Sequence, residues 1–200
     1  MTAIQAGAPP PGTRDRLIGA MLDALRTKGF HGVGISELLS QAQAPKGVLY
    51  HHFPGGKTEL AVAAIDFVVR QTTRALGKRL ERHADPAQAL TAWMADAQAT
   101  LRGSAYQRGC PLATIALESS AADTAIREAL ARGFAAIRDT LKHALAARGL
   151  EPARAGSLAA LIVAAYQGGL IQARVAGSEQ PMQDATTMLI EMLKSNLAES

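Results

Sequence analysis

The chain has 200 residues, 48% of them hydrophobic but only 4% aromatic, and a formal net charge of +4. That length suits one domain with a real core, or a small domain joined to a larger one. A single cysteine, Cys110, excludes an internal disulfide and a cysteine-rich zinc site, and no stretch approaches the roughly 18 uncharged apolar residues of a membrane span.

The opening "MTAIQAGAPPPGTRD" has no basic region followed by an apolar block, so it is not a secretory signal; residues 1–12 read as a disordered lead-in and the protein as cytoplasmic. From Thr13 the pattern turns helical. Thr13 is placed to cap the helix, and Leu17, Met21 and Leu25 recur at i, i+4 on one face. "KGFHGVG" breaks it. Ser36 then reads as the cap of a short second helix, about 37–42, with Leu38 and Leu39 inward. After a tight turn, Pro45 suits the first position of a third helix, where its missing N–H is no loss. "PGG" at 54–56 ends that helix, and a long one follows over about 57–83.

Further helices are read at about 87–104, 112–119, 123–148, 152–175 and 181–197, with no alternating strand pattern and no repeat. In the 123–148 helix, Ile126, Leu130, Phe134, Ile137, Leu141 and Leu145 form one core-facing stripe. The expectation is an all-α protein of about nine helices.

Charge is unevenly divided. Residues 1–83 hold 11 Lys+Arg against 6 Asp+Glu, and residues 84–200 hold 10 against 11. A basic N-terminal part on a near-neutral remainder suggests a module for a polyanion. Three short helices with a sharp turn between the second and third are the arrangement of a helix-turn-helix, whose third helix enters the major groove. Leu49 and Phe53 would face the small core, which turns Lys46, Gly47, Tyr50 and His51 outward and leaves His52 near an edge. Lysine neutralises phosphate or reads guanine, glycine lets backbone approach a base, and tyrosine and histidine donate to phosphate. Lys57 falls in the first turn of the next helix, where backbone N–H groups favour an anion. Ser36, Pro45 and Val48 complete the candidate DNA-contacting set.

"APKGVLYHHFPGGKTELAVAAI" resembles the recognition helix and following helix start of TetR-type transcriptional repressors, with Lys46, Gly47, Leu49, Tyr50, His52, Phe53 and Lys57 in register. The extra glycine in "FPGGK", "RGCPLATIALE" at 108–118 and "YQGGLIQAR" at 166–174 are similar to the LmrA/YxaF subgroup. The resemblance implies a DNA-binding domain over 13–60 and an effector-binding and dimerisation domain over 61–200. It also implies a homodimer on a palindromic double-stranded operator, released when a small molecule enters the C-terminal domain. Two departures stand out: Gln43 replaces the usual turn glycine, which costs about 1–2 kcal/mol if that residue is left-handed, and Pro45 replaces a common serine.

The effector pocket is expected among the helices of about 86–148 and 158–170, lined by Trp93, Met94, Ala97 and Tyr106, with Cys110, Leu117, Phe134 and Tyr166. Such residues suit a largely apolar or aromatic ligand with one or two hydrogen bonds. Glu118 is either an exposed helix position or the charge that a cationic effector would meet. The last two helices are apolar on more than one face, so part of each is expected against a second copy. Leu158, Ile162, Ala165 and Gly169, with Met188, Leu189 and Met192, are the candidate interface. Histidines 31, 51, 52, 83 and 143 have no metal-binding spacing, and no cofactor is called for. The alternative is an all-helical ligand-binding protein or enzyme with no DNA-reading role; against an enzyme stand the missing Ser/His/Asp order, Cys/His pairing and phosphate loop.

Overall fold

A computed structural model describes residues 12–198, so the lead-in lies outside the described residues except for Gly12. Among them run nine helices: α1 Thr13–Thr27, α2 Ile35–Gln41, α3 Val48–His52, α4 Gly56–Arg82, α5 Pro86–Gly103, α6 Pro111–Glu118, α7 Thr124–Ala146, α8 Pro152–Ala176 and α9 Gln180–Ala198. The described residues contain no strand.

Helices α1 to α3 close over Leu17, Met21, Leu25, Leu38, Leu49 and Phe53, all buried, as the apolar spacing requires. Their ends differ from the sequence expectation. Gly12, not Thr13, is the N-cap of α1, and Thr13 is already helical, so its hydroxyl accepts from Arg16 at 3.2 Å instead of capping. Likewise Gly34 precedes α2, which places Ser36 inside the first turn and exposed.

Gln43 is left-handed, with φ 49°. Gln43 N–H donates to Ser40 C=O at 3.0 Å and Ala44 N–H to Leu39 C=O at 2.9 Å, the paired bonds of a Schellman end. The strain anticipated for a non-glycine there is present. Pro45 does not open the third helix. It starts a turn in which Val48 N–H donates to Pro45 C=O at 3.3 Å, and Gly47 takes φ 93°. That positive φ is what a type II turn needs at its third residue, and it forbids helix before Val48. Arg16 Nε donates to Ala42 C=O at 2.9 Å, tying α1 to this turn.

Helix α4 joins the two parts of the fold. It packs on α1 and crosses α7. At that crossing Gly133 is essential: a Cβ there would stand 2.6 Å from Val69 Cγ2. Gly133 is buried in this crossing, and Phe134 beside it is half-buried. The far end of α4 is gripped by Arg148, whose guanidinium donates to the carbonyls of Leu80 at 2.5 Å, His83 at 2.9 Å and Ala84 at 3.2 Å.

Helices α5, α7, α8 and α9 form the larger bundle. The expectation that no segment approaches membrane-span length needs correction. Between Arg154 and Arg174 there is no charged residue, and α8 is long and apolar enough by composition to cross a bilayer. Its inner face packs on α7 and α9, and it is one helix of a bundle core.

Candidate functional site

The first candidate surface is the α2–α3 corner. Lys46, Tyr50 and His51 project outward with Pro45 and Gly47, while Val48 and His52 are half-buried. Tyr50 is 57% exposed, unusual for a large aromatic with apolar neighbours beneath it. The glycines of "PGG" are explained locally. Gly56 takes φ 67°, and a Cβ on it would meet the Tyr50 ring at 3.3 Å. Gly55 N–H is capped by Glu59 Oε2 at 2.7 Å. The His51 and His52 rings sit edge-to-face, 5.0 Å apart.

Lys57 lies in the first turn of α4, where the sequence places it. Its Nζ lies 4.5 Å over the Phe30 ring, facing back into the protein. Burial there lowers its pKa, and the nearby Glu118 carboxylate partly offsets this. Glu118 is likewise not a ligand contact of the main cavity. Its Oε2 accepts from Phe30 N–H at 2.5 Å and His31 N–H at 3.1 Å, joining the end of α6 to the α1–α2 corner. Gly29, with φ 80°, makes room for it: a Cβ would stand 1.6 Å from Glu118 Oε1.

The second candidate site is a cavity of about 180 Å³ enclosed by α1, α4, α5, α7, α8 and the loop before α6. Of the expected lining, Trp93, Ala97, Cys110 and Tyr166 are there. The Trp93 and Tyr166 rings stack at 4.1 Å and 6°. Burial pushes the Tyr166 phenol up, the neighbouring Cys110 adding to it. Burial also raises the Cys110 thiol, partly countered by backbone N–H groups and the Gln167 side chain. Both therefore stay neutral near pH 7.

Four expected lining residues lie elsewhere. Met94 is buried in the core away from the cavity. Tyr106 belongs to the end of α5, where it and Ala105 take φ values of 61° and 49° and its N–H closes onto Leu101 C=O. Phe134 is half-buried beside Gly133 and does not line the cavity, whose only α7 contact among the described residues is Ile137. Leu117 is 79% exposed on an outer groove beside α8. In their place the cavity takes residues that periodicity cannot identify: Arg26 from α1, Arg108 from the loop, and Thr72 and Gln167.

The expected interface also divides. Leu158, Ile162, Gly169 and Leu189 are buried inside the protomer, and Ala165 is half-buried. An interior position closes those four to a partner. Met188 and Met192 do face outward, as do Leu161, Ile171 and Val175, the last 85% exposed. On α8, Ile171 and Val175, spaced i, i+4, lie on the side away from Leu158 and Ile162, and Leu161 flanks it.

Two family profiles cover the chain: "Bacterial regulatory proteins, tetR family" over residues 17–64, and "Transcriptional regulator LmrA/YxaF-like, C-terminal domain" over residues 86–188. The HTH-type transcriptional regulator LmrA of Bacillus subtilis is 24% identical over 182 residues, 91% of this chain and 97% of its own. A TetR transcriptional regulator from Legionella pneumophila superposes with TM-score 0.81 at 20% identity, over 92% of this chain and 99% of that one. The TetR-family regulator CifR, whose structure was determined with double-strand operator DNA, superposes with TM-score 0.76 at 18% identity over 92% and 98%. Helix-turn-helix geometry, fold and family profiles thus converge: the chain is no enzyme but belongs to the TetR family of DNA-binding transcriptional regulators, in its LmrA/YxaF-like branch.

Proposed function

We propose that the protein is a ligand-responsive repressor, acting in the cytoplasm, that holds a palindromic operator as a homodimer and leaves it when a small, largely apolar or aromatic molecule fills the cavity. The observation that carries this reading is the cavity's direct tie to α1. Arg26 of α1 lines it, Gly109 N–H donates to Arg26 C=O at 3.2 Å, and Arg108 pairs with Asp23 of α1 at 2.7 Å. A ligand there moves the helix on which α2 and α3 are packed.

On the DNA side, Lys46, Tyr50 and His51 are the contacts at the groove, with Ser36, Pro45, Gly47, Val48 and His52 around them. Lys57 is at most a peripheral contact, because it is engaged with Phe30. The partner copy covers the outward face of α8 and α9 formed by Leu161, Ile171, Val175, Met188 and Met192. Pairing two reading helices about one DNA turn apart gives useful affinity from short contacts.

Selection of the purified protein against random duplex DNA, at two salt concentrations, tests the reading. An inverted repeat bound less tightly as salt rises supports a dimeric reader. Recovery of no motif would refute it.

A further inference from the structure

Within the proposed ligand response, the cavity also specifies what it takes. Its volume of about 180 Å³ is little more than the roughly 150 Å³ of an apolar cavity that accepts benzene, so one ring with small substituents fills it. The Trp93–Tyr166 stack supplies a flat aromatic wall suited to such a ring.

The polar lining is one-sided. Arg26 and Arg108 both border the cavity, and among the described residues no Asp or Glu does. Outside it, the single carboxylate of Asp23 is shared between them, 2.7 Å from Arg108 and 3.7 Å from Arg26. Two guanidiniums on one carboxylate leave donors and a positive charge for an incoming anion. Opposite in character is Gln167, whose Oε1 is buried with no hydrogen-bond partner, alone in this among the side chains of the described residues. A buried acceptor without a donor is destabilising until a ligand O–H or N–H meets it.

We propose that the cavity binds a single-ring aromatic oxyanion bearing a hydroxyl or amine, its oxyanion taken by Arg26 and Arg108 in competition with Asp23 and its donor satisfied by Gln167. Because Asp23 and Arg26 both belong to α1, the same exchange loosens the tie between α1 and the loop before α6.

Trp93 is the chain's only tryptophan, so its fluorescence reports occupancy directly. The probes are 4-hydroxybenzoate, its neutral counterpart 4-hydroxybenzamide, and benzoate, which lacks the donor. 4-Hydroxybenzoate should bind at least about tenfold more tightly than the amide, the scale of a charge-assisted contact. Arg108→Gln should erase that preference, and Gln167→Leu should erase the preference for 4-hydroxybenzoate over benzoate. An unchanged far-UV circular dichroism spectrum and a cooperative thermal transition show that each variant is folded.

Equal or tighter binding of the amide would overturn the proposal, as would no response of Trp93 to any probe at millimolar concentration. Operator release is read separately. Anion-selective binding without release keeps the oxyanion site and refutes ligand-responsive repression. Release by a neutral compound that displaces 4-hydroxybenzoate keeps the repressor reading and refutes the oxyanion class.

Discussion

Glu118→Ala is expected to destabilise the protein by about 2–4 kcal/mol. The carboxylate accepts two backbone hydrogen bonds across 88 and 87 residues of sequence, from Phe30 at 2.5 Å and His31 at 3.1 Å. A hydrogen bond to a charged group contributes about 1.5–3 kcal/mol, and a buried donor left unpaired loses a similar amount. Phe30 is buried, so its N–H counts in full; His31 is exposed, and water replaces most of what it loses. Glu118→Gln keeps an acceptor but not the charge, and should cost about half as much.

Gly29→Ala makes the test sharper. In the wild type its Cβ would collide with Glu118, 1.6 Å from Oε1, and φ 80° strains any L residue. In a Glu118→Ala background only the backbone strain remains, about 1–2 kcal/mol. The two changes should therefore be non-additive by 1 kcal/mol or more, as about 0.5–3 kcal/mol is usual for touching residues. Urea unfolding of the four proteins, followed by circular dichroism, measures this cycle. Additive effects, or a Glu118→Ala cost below about 0.5 kcal/mol, would refute the link between α6 and the α1–α2 corner.

Other outcomes follow from the same geometry. Lys46→Ala with Tyr50→Ala should abolish operator binding in a mobility-shift assay while sedimentation still reports a dimer; unaltered DNA affinity would remove α3 as the reading helix. Gln43→Gly should stabilise the fold by about 0.5–1 kcal/mol in thermal or urea unfolding, because relief of the left-handed strain exceeds the added unfolded-state entropy. Val175→Glu, at an 85% exposed position, should leave monomer stability within about 0.5 kcal/mol yet convert dimer to monomer in sedimentation. An unchanged dimer would move the interface elsewhere.

Much of this architecture is legible in the sequence. Helices α1 and α7 have polar outer faces, so i, i+4 spacing reveals both their existence and their inward side. The α2–α3 corner was legible for a second reason: Gln43, Pro45, Gly47 and "PGG" are local backbone chemistry, and local chemistry is written in adjacent residues. Even there, Pro45 misleads, because Gly47's positive φ delays the helix to Val48.

Tertiary structure decided the rest. Helix α8 is apolar all round, and periodicity names an inner face only when the other face is polar. Packing on α7 and α9 alone selects Leu158 and Ile162 for the core and leaves Leu161, Ile171 and Val175 outside. On α7 it is Ile137, and not Phe134 of the same stripe, that reaches the cavity. Arg26, Arg108 and Gln167, the residues that give the cavity its chemistry, come from three distant segments and share no pattern in the chain. Sequence records which faces can be buried and where the backbone can turn; only the packed chain determines which distant side chains meet.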